Sequence, residues 1–346
     1  MVDRTISEKL EIFIITFNRA KKLDRTLSQI FAENSPVKDF SITVIDNNST
    51  DMTADVVHKW QGLNRNLNYK KNKYNIGGNA NIVKAFYSAS KDYVWILADN
   101  DDFCWDNWGE VERFIENDAD AIVVATYECP KYDIAQLFDQ MTFLPGVIYK
   151  TANINDTVMA NMEFNIANMF PHLALAAKLV NEKKQISVVD NAIVLVGDNR
   201  DEDGCYTYTR GLDESIHPLQ KGMNWISGYA NSLYLIKNKK IRNYIISHNR
   251  FLTELNSAKL FFWKPKDSEK NLYNYLCVFA VLSPWEKLRF ILNVILFYSL
   301  YRVVFVSKKE CFDKEKNLLT INFDLRLFYF IKTKLFRINK NIKGVC

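Results

Sequence analysis

The chain is poor in the residues that break regular structure: 346 residues hold 11 glycines and 7 prolines. That scarcity excludes long flexible linkers and collagen-like or mucin-like stretches, and no internal repeat or low-complexity segment is present. Cysteine is scarce as well. The six (Cys104, Cys129, Cys205, Cys277, Cys311 and Cys346) are scattered with no C-x-x-C pair. This excludes a clustered zinc site or a disulfide framework and reads as idle thiols in a reducing compartment. The first apolar run, Ile12 to Phe17, is short and follows a charged segment, so no signal peptide is expected and the topology reads as cytoplasmic. Two phosphate-binding patterns are also missing. No G-x-G-x-x-G opens a helix after the first strand, and no G-x-x-x-x-G-K-[ST] occurs, which disfavours a nucleotide-dependent oxidoreductase, a kinase or an ATPase.

What is present is apolar residues, 48% of the chain, enough for a substantial core. The net charge of +5 is unevenly placed. From Ser307 to Cys346 there are ten Lys/Arg against four Asp/Glu, which leaves the preceding residues close to neutral. The last twenty residues carry Lys332, Lys334, Arg337, Lys340 and Lys343 and no acid. Such a tail suits an anionic surface, phospholipid headgroups ahead of nucleic acid, for which no recognition module is visible.

The first hundred residues alternate apolar runs with amphipathic stretches. Glu11–Thr16 and Phe40–Ile45 are short β-branched runs that predict buried strands. Leu23, Leu27, Ile30 and Phe31 repeat at helical spacing between them, and helices are predicted near Thr53–Trp60 and Ala80–Ala89. Tyr93–Ala98 predicts another strand and Ala121–Thr126 a further one. A helix near Phe170–Asn181 and a strand near Ile186–Val196 follow, and from about Leu212 the pattern turns helical. The fold class is therefore α/β: a mostly parallel sheet flanked by helices over residues 1–210, with a mainly helical extension over 211–346. In such sheets ligands lie beyond the carboxyl ends of the strands. Three of the predicted strands run straight into Asn/Asp-rich loops, at Asn18, at Asp46-Asn47-Asn48 and at Asp99-Asn100-Asp101-Asp102. Those loops should share one crevice. Two carboxylates two residues apart, Asp99 and Asp101, suit a ribose and a hard divalent cation with oxygen ligands. The alternative is a solvated acidic turn.

Four segments taken in order carry a resemblance. Ile14-Ile15-Thr16-Phe17-Asn18-Arg19, Val44-Ile45-Asp46-Asn47-Asn48-Ser49-Thr50-Asp51, Asn75-Ile76-Gly77-Gly78-Asn79 and Trp95-Ile96-Leu97-Ala98-Asp99-Asn100-Asp101-Asp102 resemble the signature of family 2 glycosyltransferases, inverting enzymes of the GT-A fold. The resemblance covers residues 10 to 105 and reaches loosely to about 200. It implies transfer of a sugar from a nucleotide diphosphate-sugar to a hydroxyl of a glycan, with Mn2+ or Mg2+ as cofactor. That chemistry asks for neutralisation of the diphosphate, a held nucleoside and a base for the attacking hydroxyl. By resemblance Thr16, Asn18 and Arg19 would line the nucleotide, Asp46 and Asn47 would face its base, and Gly77, Gly78 and Asn79 would lie near nucleotide and sugar. Asp99 would approach ribose or sugar, and Asp101 would hold the metal. Many members read Asp-Asp where this chain has Asp46-Asn47; an amide can accept or donate, so uracil, thymine and cytosine all stay open. Asp102 has no assigned role.

The family places an acidic base at a helix start near Asn168–Leu175, where this chain has His172. Histidine titrates in the right range for general-base work, and a packed helix-start histidine is the alternative. Glu163, Asp198 and Asp201 are the reserve candidates. The run Phe290–Val306 is about 17 apolar residues broken by Asn293 and Arg302, short of the roughly 20 a spanning helix needs. It reads either as a core helix or as one bedded in a membrane surface. Aromatics and lysines alternate over Leu325–Phe336, which suits peripheral attachment. The resemblance implies a lipid-linked acceptor in surface-polysaccharide (O-antigen or capsule-type) synthesis on the cytoplasmic face of the inner membrane. A catalytically silent relative that binds nucleotide-sugar or glycan as an assembly partner is the other reading.

Overall fold

The computed structural model describes residues 4–125, 133–197, 225–248, 276–288 and 290–292. A short first helix, α1 (Ile6–Lys9), leads into strand β1 (Leu10–Thr16), six of whose seven residues are buried. A strand covered on both faces in a parallel sheet needs no polar alternation, which is why its sequence is a continuous apolar run. Helix α2 (Ala20–Ile30) buries Leu23, Thr26, Leu27 and Ile30, one stripe at helical spacing. Strand β2 (Ser41–Asp46), helix α3 (Thr53–Gln61), strand β3 (Leu67–Lys71), helix α4 (Gly78–Ser88) and strand β4 (Tyr93–Ala98) complete the first half. Next come β5 (Asp102–Phe103), α5 (Trp108–Glu116), β6 (Ala121–Val123), α6 (Ile134–Gln140) and β7 (Val147–Lys150). Helices α7 (Asp156–Phe164) and α8 (Leu173–Glu182) precede β8 (Ile186–Val188) and β9 (Val194–Leu195). Helices α9 (Trp225–Tyr234) and α10 (Lys239–His248) follow.

Among the described residues the main sheet has seven strands in the order β3-β2-β1-β4-β7-β6-β8. Strands β3, β2, β1 and β4 run parallel, with Ile15 opposite both Ile45 and Ala98. Strand β7 lies antiparallel between β4 and β6, so the sheet is mixed rather than wholly parallel. The core centres on Trp95, fully buried, whose indole Nε1 donates to the Pro145 carbonyl at 2.7 Å and whose ring stacks on Trp108. An aromatic buried this way removes a large apolar area from water while its polar edge stays satisfied.

Three sequence expectations are corrected. The strand predicted over Ile186–Val196 is two strands, β8 in the main sheet and β9 paired antiparallel with β5 in a separate two-stranded sheet, with bends between them at Asp190 and Asn191. The helix predicted from Phe170 begins at Leu173, because Phe170 sits at φ 65° and Pro171 follows it. Strands β3 and β7 were not foreseen. The boundary expected near residue 210 lies outside the described residues, as do the apolar run past Leu292 and the basic tail. The chain divides into compact units Met1–Ile291 and Leu292–Cys346, and every element above belongs to the first.

Candidate active site

Because β2, β1 and β4 are neighbours and parallel, their carboxyl ends stand side by side. Thr16 is in register with Asp46, and Ile15 with Ala98, the residue before Asp99. The first consequence is a buried cluster. The Thr16 hydroxyl donates to Asp99 Oδ2 at 2.7 Å, and Arg19 Nη1 donates to Asp99 Oδ1 at 3.1 Å. Burial raises the Asp99 pKa above the usual carboxylate range, while the Arg19 guanidinium and the Thr16 hydroxyl oppose that rise. An ion pair at a strand end, with the cation's side chain only 11% exposed, is held for a ligand or for the fold; a surface pair would be neither so buried nor so directed.

Asp101 is built differently. Its Oδ1 accepts from the Gly197 N–H at 3.2 Å, while Oδ2 is buried and has no hydrogen-bond partner among the described residues. Desolvation pushes its pKa up to about 7, helped by the nearby carboxylates of Asp99 and Asp102. A carboxylate oxygen that is buried and unanswered calls for a cation or a donor. Asp102 turns away from this cluster. It accepts from Arg25 and, at 3.1 Å, from Gln29 Nε2, and Gln29 Oε1 takes the Phe103 N–H at 3.1 Å. The acid without a predicted role is thus an anchor that ties the loop after β4 to α2.

The other predicted nucleotide residues hold the loops rather than present free side chains. Asp46 is fully buried: Oδ1 accepts from the Ser49 N–H (2.8 Å) and hydroxyl (2.6 Å), and Oδ2 from the Tyr69 hydroxyl at 2.6 Å. Asn47 donates to Asn75 Oδ1 at 2.6 Å and accepts from Asn72 Nδ2 and the Ile76 N–H. Asn18, at φ 52°, accepts from the Thr50 N–H at 2.7 Å. Asn79 Nδ2 donates to the Ile166 and Asn168 carbonyls, which fastens α4 to the segment before α8. Gly77 and Gly78 at the start of α4 face open space, since a Cβ on either would meet nothing within 4 Å. Gly77 sits at φ 84°, a conformation that favours glycine. Of the predicted set, the structure brings Thr16, Arg19, Asp99 and Asp101 to the carboxyl end of the central strands β1 and β4, and leaves the Gly77–Gly78 backbone open.

His172 is placed out of solvent. It occupies the N-cap position of α8 as a residue 2% exposed, Nε2 lies 3.0 Å from the Met141 carbonyl, and burial lowers its pKa to about 4. Hydrogen bonding to a carbonyl makes Nε2 the protonated nitrogen. A ring held in this way supports the packed helix-start alternative. Of the reserve candidates, Glu163 accepts from the exposed Tyr87 hydroxyl at 2.7 Å, and Asp198 and Asp201 lie outside the described residues. Sequence reading also missed Tyr69, Asn72 and Gly197. The signal for Tyr69 was present in the polar strand β3, whose residues beside β2 have to satisfy a buried Asp46.

Known proteins share parts of this chain. An abequosyltransferase of Salmonella typhimurium is 29% identical over 108 residues, 31% of this chain and 32% of the relative. A GalNAc(5)-diNAcBac-PP-undecaprenol beta-1,3-glucosyltransferase of Campylobacter jejuni is 35% identical over 95 residues, 27% of this chain and 30% of the relative. The match thus spans about a third of the length of these curated relatives. In three dimensions the chain is similar to the crystal structure of S. aureus TarS 1–349 in complex with UDP-GlcNAc, with a TM-score of 0.60 and 15% identity over 85% of this chain and 91% of that one. This likeness shows the GT-A fold. Residues 11–180, which contain all four sequence motifs and the strand ends described above, match the family model for glycosyl transferase family 2, and this segment is a domain of that family.

Proposed function

We propose that the protein is an inverting glycosyltransferase that moves a sugar from a nucleotide diphosphate-sugar to a hydroxyl of a lipid-linked glycan during surface-polysaccharide assembly. The observation that carries this reading is the strand-end cluster: Asp99 bound by Thr16 and Arg19, beside the unanswered Oδ2 of Asp101. The donor's diphosphate belongs between that cluster and the open backbone of Gly77–Gly78, where the N-terminus of α4 favours negative charge. Arg19, already paired with Asp99, orients that carboxylate toward the hydroxyls of ribose or sugar.

The residues fit a divalent cation, Mn2+ or Mg2+. Asp101 offers a hard oxygen through Oδ2, and a nucleoside diphosphate brings oxygens of its own to complete a shell. No group of three His, Cys, Asp or Glu that could hold an ion alone is present among the described residues, and in this reading the donor shares the coordination. When bound, the cation neutralises charge that builds on the leaving diphosphate. The protein's own part is to orient the donor, to hold Asp101 at a fixed aim and to exclude water from the strand ends.

The lipid-linked acceptor is supported by the Campylobacter relative, whose name specifies an undecaprenol-linked substrate. Contact with the membrane surface is supported by the basic tail. No helix among the described residues is long and apolar enough to cross a membrane. The test is transfer from a panel of nucleotide sugars to an undecaprenyl-pyrophosphate glycan, with Mn2+ and then with chelator. Metal-dependent transfer with inverted anomeric configuration, read by NMR of the new bond, is expected. Donor binding without turnover would instead make the protein a silent nucleotide-sugar-binding relative. Asp101→Ala is expected to lower turnover by at least a hundred-fold with an unchanged circular dichroism spectrum; near-wild-type, metal-dependent turnover would remove Asp101 from the cation site.

A further inference from the structure

The chain leaving β9 reaches the acidic loop at Gly197. Pairing of Asp102 with Leu195 and of Phe103 with Val194, together with the Cys104 N–H on the Ile193 carbonyl at 2.9 Å, lays this segment along the loop. The approach at Gly197 is closer than any side chain permits. A Cβ built there would stand 1.7 Å from the Asn100 carbonyl oxygen and 2.7 Å from its carbon. Both are backbone atoms, so no rotamer change relieves the clash. That same closeness puts the Gly197 N–H 3.2 Å from Asp101 Oδ1. On the opposite side the loop is fixed by Gln29 and Arg25 through Asp102 and the Phe103 N–H. The loop that carries Asp101 is therefore held from both flanks, with one carboxylate oxygen answered and the other, Oδ2, without a hydrogen-bond partner among the described residues.

We infer that Gly197 is a positioning residue for Asp101: its N–H fixes Oδ1 so that Oδ2 alone faces the cation, and only glycine lets the segment after β9 come near enough. The inference rests on the reading of Asp101 as cation ligand. A carboxylate free to rotate presents either oxygen at varying aim, whereas one pinned at Oδ1 presents one oxygen in one direction, and geometry of this kind sets affinity at a metal site. Gly197 touches neither donor nor cation. Its substitution should therefore act through Asp101 and not on the chemistry itself.

The experiment uses the full chain and follows free Mn2+ by electron paramagnetic resonance in the presence of UDP, CDP, GDP or dTDP. Gly197→Ala is expected to weaken nucleotide-dependent Mn2+ binding at least ten-fold and to raise the Mn2+ concentration for half-maximal transfer, with most of the maximal rate recovered at saturating Mn2+. Val194→Ala, which loosens the same strand without adding an atom beside Asn100, should lower the melting temperature at least as much and leave Mn2+ affinity within two-fold. Unchanged affinity in Gly197→Ala, with affinity lost in Asp101→Asn, overturns the inference and leaves the reading of Asp101 intact. Unchanged affinity in Asp101→Asn, or no nucleotide-dependent Mn2+ binding by the wild type, overturns that reading and the inference with it. If Gly197→Ala does not fold, hydrogen exchange of the wild type decides. The Gly197 amide should be protected with and without Mn2+ and nucleotide, and free exchange in both states would remove its role.

Discussion

At residue scale the buried histidine is the sharpest case. His172 has its folded pKa near 4, below the ordinary 6.5, because burial disfavours the charged ring. A depressed folded pKa adds stability that is present above the unfolded value and lost as pH falls through the folded one. The window is thus from about pH 6.5 down to about pH 4, and a shift of this size corresponds to about 3 kcal/mol. Urea unfolding of the wild type should lose stability across that window, and His172→Gln, which still donates to the Met141 carbonyl, should lose markedly less. The same variant separates packing from catalysis. A packed ring predicts that turnover of the folded variant stays within a few-fold of wild type, whereas loss of a general base costs on the order of a hundred-fold or more. The sequence placed His172 correctly at a helix start. What it did not show was Met141, which lies 31 residues earlier and closes the ring off.

At the scale of elements, the loops beyond β1, β2 and β4 are held by polar groups that lie far apart in sequence. Tyr69 on β3 donates to Asp46 on β2, and Asn72 bridges Asn47 and Asn81. Removing one partner of a buried carboxylate leaves an unsatisfied acceptor, at a cost of about 1–3 kcal/mol. Tyr69→Phe is therefore expected to lower stability by about that amount in denaturant unfolding, and to weaken donor binding through the loosened Asp46–Ser49 turn. A variant as stable as wild type would show that Asp46 finds another donor. These elements were legible to different degrees for a physical reason. Strands β1, β2 and β4 are buried on both faces and so appear as unbroken apolar runs. Strand β3 is an edge strand with one buried residue in Leu-Asn-Tyr-Lys-Lys, and edge strands are protected by the lysines that hide their pattern. Strand β7 is four residues long and follows a turn at Leu144–Gly146, too short for a period to register. The site was legible in the same partial way. Adjacent strand ends predicted that the loops at Asn18, Asp46 and Asp99 would share a crevice, and the resemblance named Thr16, Arg19, Asp99 and Asp101 within it, but the partners that occupy Asp46, Asn47 and Asn79 are set by contacts that spacing does not encode.

For the whole molecule the question is where the catalytic unit works, and charge supplies the handle. The described residues contain no helix able to span a bilayer, while the final twenty residues carry five Lys/Arg and no acid. A lipid-linked acceptor is confined to a surface, so an enzyme held at that surface meets it at a higher effective concentration than one in bulk. Each Lys or Arg near an anionic leaflet contributes about 1 kcal/mol, and the attraction falls off within a Debye length. Deleting residues 327–346 is thus expected to release the protein from vesicles containing phosphatidylglycerol, and raising salt from about 0.1 to about 1 M should release the intact protein in the same way. Turnover on a short soluble acceptor should be unchanged by the deletion, because the strand-end cluster lies wholly within residues 16–197. Turnover on a lipid-linked acceptor in vesicles should fall with the loss of binding. Co-flotation with liposomes, measured beside both assays, checks the three outcomes together. If the truncated protein still floats with anionic vesicles, the tail is a solvated end and the apolar run Phe290–Val306 carries the contact instead. If it is released from vesicles yet keeps its full rate on the lipid-linked acceptor, surface attachment has no part in acceptor capture.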